Sequence, residues 1–298
     1  MDKLLFTGGT GFLGYNIMPI LETRYVVETC GISASNTVNV DLSSSVPEFK
    51  QRYDIVLHAA GKSHIMVDNN AEEQAFYDVN YQGTINLCKA LEKIGVPEAF
   101  IFISTVAVYG CESGEKITEE HPLNGKTAYA KSKILAEQYL TQWCNEHNVV
   151  LGILRPSLMA GKNASGNLGA MVNGIHSGYY VNIAGGKANK SLLMADDIGH
   201  IIPLIVNKGG TYNVCDTRHI TFGELSISIA RQLGKNKPIS IPYWVAWSMA
   251  KVGDLLGNKV LFNSYKLNKM TKTLTFSNQK ACHELGWIPT DVITNYKI

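Results

Sequence analysis

Short apolar-rich blocks alternate along this chain with longer stretches whose apolar positions recur at helical spacing. The blocks lie at Leu4-Leu5-Phe6 and at residues 25–30, 54–61, 99–104, 149–154 and 211–215. Runs of this length predict strands buried on both faces. Residues 39–42 read as a further short strand. Between the blocks, residues 71–94 form one long helical pattern carried by Ala75, Val79, Ile85, Leu87, Ala90 and Leu91. A second helix starts at Tyr129 and runs to about His147, with Ile134, Leu135, Leu140 and Trp143 as its packing face, and residues 222–233 form an amphipathic third. A helix also follows Gly14 to about Thr23, with Pro19 inside it, where a backbone bond is lost. Strands alternating with helices predict an α/β fold, a doubly wound parallel sheet with helices on both faces.

The first block leads straight into Thr7-Gly8-Gly9-Thr10-Gly11-Phe12-Leu13-Gly14. A backbone without Cβ can turn sharply from strand to helix and lets a pyrophosphate approach the amides at the helix N-terminus. The last glycine lets the helix lie close against the sheet. Glycines alone are a weak signal, but here they sit in the first strand–turn–helix unit of an α/β chain, and that context predicts dinucleotide binding. Ligands of open parallel sheets lie at the C-terminal ends of the strands. There the block at 54–61 ends in Ala59, Ala60 and Gly61, small enough for a dinucleotide to pass close to the backbone. The second strand ends in Cys30-Gly31-Ile32-Ser33, with neither the acid that holds an adenosine 2′-hydroxyl nor an Arg for a 2′-phosphate. NAD and NADP both stay open.

Tyr129-Ala130-Lys131-Ser132-Lys133 adds chemistry to binding. Four residues apart on a helix, Tyr129 and Lys133 project from one face. An ammonium beside a phenol favours the phenolate and lowers the tyrosine pKa, making Tyr129 an acid or base near neutral pH. The same spacing also occurs on solvated helix faces.

With Ser104-Thr105-Val106-Ala107-Val108-Tyr109-Gly110 between them, these two stretches resemble the extended short-chain dehydrogenase/reductase superfamily. That is the group of NAD(P)-dependent nucleotide-sugar epimerases, dehydratases and reductases. The resemblance runs over nearly the whole chain and is strongest to UDP-sugar 4-epimerases and to 4-keto reductases of deoxy- and aminosugar nucleotides.

The resemblance implies a Rossmann-type domain over residues 1–165, a return segment near 190–216, and a smaller α/β substrate lobe over 166–298. Gly8, Gly11, Phe12, Leu13 and Gly14 would hold the NAD or NADP cofactor, with Ala59, Ala60, Gly61 and Pro156 lining its path. Asp41 would contact the adenine with Leu42 packed beside it, or else Asp41 caps a helix over residues 43–49. Asn80 would fix backbone geometry near the active site. Thr105 would hydrogen-bond the reacting oxygen, Tyr129 would move the proton at the sugar O4, and Lys133 would hold the nicotinamide ribose and tune Tyr129. Dehydratases of this group carry an Asp-Glu pair where this chain has Val106 and Ala107, which argues against dehydration. His64, Asn167 in the Gly/Asn-rich stretch 161–167, and Lys190 would face the substrate; His64 alternatively caps or sits on the surface. The implied reaction is 4-epimerisation of a nucleotide sugar, UDP-linked as the resemblance implies; the alternatives are 4-keto reduction and, in a different class, NADP binding without turnover.

The remaining features narrow the setting. A net charge of +2 without a basic stripe gives no electrostatic case for nucleic acid. Six cysteines without paired spacing or metal-like neighbours fit free thiols of a reducing cytosol and no metal site. Met1-Asp2-Lys3 leads directly into the first strand, so no signal peptide is expected, and no apolar run is long enough to span a bilayer. Residues 241–256 are apolar and contain Trp244 and Trp247, interrupted by Lys251 and Asp254. They read as a core-packed lid helix, with a membrane-surface helix as the alternative. The ending, a strand over 271–276 and then Leu285-Gly286-Trp287-Ile288-Pro289, fits closure of the substrate lobe. In relatives the helices at 71–94 and 129–147 pair with their two-fold copies, so a homodimer is expected, with Phe76, Tyr77 and Tyr139 as candidate contacts.

Overall fold

The computed structural model describes residues 1–63, 69–164, 166–256 and 262–298. Seven parallel strands make the central sheet, in the spatial order Gly210–Val214, Val150–Pro156, Ala99–Ile103, Ile55–His58, Lys3–Thr7, Val26–Gly31 and Val38–Asn39. The chain builds outward from Lys3–Thr7 in one direction, then crosses back and continues in the other. The order therefore reverses between Lys3–Thr7 and Ile55–His58, and a crevice at such a switch point is where open α/β sheets take their ligands.

Side chains along a strand alternate between faces, and the core divides accordingly. Leu4, Phe6, Leu57, Ile101 and Leu154 pack to one side with Ile17, Ile201 and Ile205. Leu5, Val56, Phe100 and Phe102 pack to the other with Leu87, Leu140 and Trp143. Both faces being covered explains why the central strands read as apolar-rich blocks.

A second sheet of four short strands runs in the order Ile220–Thr221, Asn189–Lys190, Leu274–Phe276 and Gly114–Ile117. Ile117 pairs with Phe276, so a strand from the first half of the chain closes a sheet otherwise built from the second half.

Several elements depart from the sequence-based expectation. The helical pattern over 71–94 is broken into Asn70–Tyr77, a π-helical turn at Asp78–Gln82, and Gly83–Ile94. Such turns insert a residue into a helix and are frequent at functional sites; this one carries Asn80. No helix follows Asp41. Its carboxylate instead closes a turn, accepting from the Ser43 amide at 2.9 Å and the Ser43 hydroxyl at 2.7 Å. Pro19 lies on the exposed side of helix Phe12–Leu21, which runs on past it because the bond it forfeits faces water. Phe76, expected at a dimer surface, is buried within the chain and packs on Tyr129 with ring centroids 6.2 Å apart.

The apolar stretch at 241–256 forms helix Tyr243–Leu256, and it is not packed into the core as a lid. Among its described side chains the fully buried ones are small: Ala246 and Ala250, beside Ile183 and Leu267. Trp244 is 70% exposed and Leu255 88%. Among the described residues no helix is long and apolar enough to cross a membrane.

Candidate active site

Three glycines in the first turn have distinct jobs. Gly8 has φ +83°, and a Cβ there would lie 2.7 Å from the Ala60 amide nitrogen, so only glycine lets the first turn lie against the end of the neighbouring strand. A Cβ on Gly14 would lie 2.0 Å from the Gly9 carbonyl oxygen. The helix is thus pressed against its own entry loop rather than only against the sheet. Gly11 is different: its Cβ would meet only the Gly8 carbonyl oxygen, at 3.3 Å, and otherwise opens outward. Gly11 is also the N-cap of helix Phe12–Leu21, and no side chain caps its first amides. Those amides are left for an anion. Phe12 is half-buried and Leu13 is part of the core.

A buried chain of hydrogen bonds ties this turn to the next strand. The Ala60 amide donates to Thr7 Oγ at 3.2 Å, Thr7 Oγ lies 2.6 Å from His58 Nδ1, and His58 Nε2 lies 2.9 Å from Thr84 Oγ. Thr84 in turn donates to the Asn80 carbonyl at 2.7 Å. With Thr84's proton so spent, its oxygen accepts from Nε2–H, and the Thr7 hydroxyl donates to Nδ1. His58 is therefore a neutral imidazole; burial, helped by the Lys133 charge, lowers its pKa to about 3.

Asn80 is fully buried, and its side chain holds the backbone of Lys62 from both sides. Its Oδ1 accepts from the Lys62 amide at 2.7 Å, while its Nδ2 donates to the Lys62 carbonyl at 3.1 Å and to Ser132 Oγ at 2.9 Å. Gly61 sits between: a Cβ there would be 3.0 Å from Asn80 Oδ1 and 3.3 Å from Lys133 Nζ. Ala59 and Ala60 are half-buried and Gly61 is exposed, leaving an open, side-chain-poor floor.

Tyr129 and Lys133 lie on helix Ala128–His147, whose N-cap Thr127 accepts from the Ala130 amide. Lys133 is buried, donates to the Ile103 carbonyl at 2.8 Å and lies 4.5 Å from the centre of the Phe102 ring. Burial brings its pKa down to about 8, against an upward pull from Glu137. The Tyr129 phenol is shifted up by burial, with the Thr105 hydroxyl pulling it back down. This differs from the expectation that Lys133 lowers it, because the ammonium is turned to the Ile103 carbonyl. Thr105 caps the short helix Val106–Tyr109 through the Ala107 amide at 3.2 Å.

Beneath this group lies a buried ion pair that sequence reading missed. Arg155 Nη2 reaches Glu137 Oε2 at 2.5 Å and Nε reaches Oε1 at 3.1 Å. Ser104 Oγ donates to the same carboxylate, and Arg155 Nη1 donates to the Tyr109 hydroxyl at 3.0 Å. Tyr109 passes on to Asn213 Oδ1 at 2.6 Å. The available signal was spacing: Glu137 follows Tyr129 and Lys133 at intervals of four on one helix.

Other expected residues fall as follows. Leu42 is buried, and its carbonyl accepts from Asn86 Nδ2 at 2.8 Å. Pro156 is buried at the end of its strand, next to Ser157, whose buried hydroxyl has no partner among the described residues. Asn167 is exposed on helix Gly166–His176. Lys190 Nζ donates to the Lys272 carbonyl at 2.7 Å, and burial, reinforced by Lys269, brings its pKa down to about 8. His64 lies outside the described residues.

Two asparagines went unnoticed in the sequence. Asn16 Oδ1 accepts from the Lys162 amide at 2.9 Å, pinning the Gly161 loop to the first helix. Asn36, buried beyond the second strand, donates to the Ser33 carbonyl at 2.9 Å and leaves its Oδ1 without a partner among the described residues. The open space at Gly11, the uncapped amides, the small floor and this orphan acceptor fit a dinucleotide laid across the sheet.

The model of the NAD dependent epimerase/dehydratase family matches residues 4–215, and the chain belongs to that family. Its cofactor is a nicotinamide dinucleotide. Among curated relatives, the chain is 29% identical to the N-acetyl-alpha-D-glucosaminyl-diphospho-ditrans,octacis-undecaprenol 4-epimerase of Escherichia coli O157:H7, over 96% of this chain and 90% of that protein. It is 25% identical to the UDP-glucose 4-epimerase of Vibrio cholerae, over 98% and 92%. The fold matches the solved UDP-glucose 4-epimerase of Thermotoga maritima with a TM-score of 0.75 and 20% identity, covering 99% of this chain and 95% of that one.

Proposed function

We propose that this protein is an NAD-dependent 4-epimerase of a diphosphate-linked sugar, with a nucleotide sugar, UDP-linked, as the first choice. One observation carries the reading. Two relatives aligned over nearly the full chain are both named 4-epimerases, and the proton-handling residues Thr105, Tyr129 and Lys133 are all present. Val106 and Ala107 supply no carboxylate for an elimination, which weighs against dehydration.

In this reading Gly8, Gly11, Phe12, Leu13 and Gly14 receive the pyrophosphate, and Asp41 and Leu42 border the adenine. Ala59, Ala60 and Gly61 form the floor, Asn80 shapes it from behind, and Pro156 borders the nicotinamide. The bound nicotinamide supplies hydride acceptance and return at the sugar C4. Tyr129 takes the proton from the O4 hydroxyl and gives it back, and Thr105 hydrogen-bonds that oxygen. The phenol, shifted up by burial, is in its proton-donating form. Taking a proton requires positive charge nearby; Lys133, one helical turn on, is the buried cation assigned to that task and to the nicotinamide ribose, and it serves Tyr129 once its ammonium leaves the Ile103 carbonyl it holds in the free protein. His64, Asn167 and Lys190 are assigned to the sugar and diphosphate side.

The first relative's name supports a second reading of the substrate, a sugar on a polyprenol diphosphate. A 4-keto reductase, which needs the same proton step in one direction only, is the alternative reaction. The assembly proposed is a two-fold homodimer through the helical segment 71–94 and helix Ala128–His147, where Leu135 is exposed and Tyr77, Tyr81 and Tyr139 are half-buried. A monomeric mass by light scattering would remove it.

Tyr129→Phe tests the assignment. The ring still packs on Phe76, so dinucleotide affinity is expected to hold while turnover falls about a hundred- to ten-thousandfold. A near-wild-type rate would take Tyr129 out of the mechanism.

A further inference from the structure

Helix Tyr243–Leu256 has its amphipathicity reversed. A surface helix normally turns large apolar residues inward and polar ones to water. Here the inward stripe is Ala246, Ala250 and Gly253, where a Cβ on the glycine would lie 2.0 Å from the Phe262 carbonyl oxygen. The outward face holds Trp244, Trp247, Val252 and Leu255, all exposed, with Lys251 among them. Lys251 Nζ lies 5.8 Å from the Trp247 ring centre. On the neighbouring helix Ser264–Thr271, Tyr265 is exposed, with Lys269 Nζ 4.3 Å from its ring centre. The two helices meet through Ala246, Ala250 and Leu267.

Charge is as one-sided as the apolar pattern. Residues 231–272 contain eight Lys or Arg and a single acid, Asp254, which leaves the rest of the chain net negative. Exposed Trp and Tyr interleaved with Lys and aliphatic side chains are the composition of a helix that lies in a lipid headgroup region. Basic residues beside it are attracted by anionic lipid. At 14 residues the helix is too short to span a bilayer, which takes about 20.

We propose that this face, helix Tyr243–Leu256 with Tyr265 and Lys269 beside it, docks the protein on the surface of an anionic lipid bilayer. A second copy of the chain is the poorer occupant, because a two-fold contact through this face would set its lysines against their own copies. The proposal does not rest on the epimerase reading, since docking holds or fails with no substrate present.

The test is co-sedimentation of the full-length protein with vesicles of phosphatidylcholine alone or mixed with phosphatidylglycerol, followed by tryptophan emission. Trp143 and Trp287 are buried, so a change on binding reports Trp244 and Trp247. The expected result is binding to the phosphatidylglycerol vesicles, weakened by salt, with a blue shift. A triple variant, Trp244→Ser, Trp247→Ser and Leu255→Ser, is expected to bind roughly tenfold or more weakly while keeping its dinucleotide affinity and its mass in solution. A second variant, Lys251→Glu with Lys269→Glu, changes no buried residue and should lose the preference for anionic lipid. No binding to anionic vesicles, or binding by both variants equal to that of the wild type, overturns the proposal. So does a concentration-dependent rise in mass that the triple variant abolishes, which would assign the face to a second copy.

Discussion

Thr7 Oγ and His58 Nδ1 lie 2.6 Å apart, buried beneath the glycine turn proposed to receive the dinucleotide. Through this bond the first strand, the fourth strand in sequence and the π-turn at Asn80 become one polar chain inside an apolar core. Its cost and its use both follow from the neutral imidazole at its centre.

The pH dependence of stability is the first consequence. His58 takes a proton at about 3 in the folded chain and at about 6.5 when unfolded. Between those values only the unfolded chain binds the proton, so stability rises with pH across the window and is lost on acidification below about 6.5. The slope reaches about 1.4 kcal/mol per pH unit. Denaturant unfolding between pH 7 and pH 5 should show a shallower loss in His58→Gln than in the wild type. Parallel slopes would mean that His58 is not the neutral buried group described.

Gly8 and Gly11 separate folding from binding. Gly8→Ala places a Cβ against the Ala60 backbone at positive φ, so it should lower the melting temperature as well as cofactor affinity. Gly11→Val meets little protein and should leave the melting temperature of the free protein nearly unchanged. Its dinucleotide affinity should fall more than tenfold, about 1.4 kcal/mol. Isothermal titration alongside thermal melts makes the comparison; unchanged affinity in Gly11→Val would contradict the phosphate-turn assignment.

Much of this molecule was legible in the sequence because its signals are local. The apolar blocks mark the strands since both sheet faces are covered, and Gly8 and Gly14 stand where a Cβ would strike backbone. What escaped notice depends on contacts distant in sequence. Asn16 meets Lys162, and Glu137 meets Arg155 from the next strand. The Lys133 charge was expected on Tyr129, but a carbonyl five residues beyond Glu98 in the sheet, that of Ile103, claims it. Residues 241–256 read as core because their composition is apolar, while among their described side chains the buried ones are small.

The Glu137–Arg155 pair gives a prediction that sequence alone could not have offered. Glu137→Ala strands a buried guanidinium and should cost about 3–5 kcal/mol in urea unfolding. Glu137→Leu combined with Arg155→Met removes both charges and should recover a substantial part of that loss. A single variant with wild-type stability would show that the carboxylate is not needed to offset Arg155.

The central claim is that the protein inverts a sugar C4 and keeps its cofactor through the cycle. The most direct measurement is the absorbance spectrum and dinucleotide content of freshly purified protein, followed by incubation with UDP-hexoses and, separately, a polyprenol-diphosphate-linked N-acetylhexosamine, without added dinucleotide. The account predicts bound NAD close to one per chain and appearance of the C4 epimer from at least one of these substrates. Protein purified empty that consumes NAD(P)H only when given a 4-keto sugar nucleotide would contradict it and establish the reductase instead.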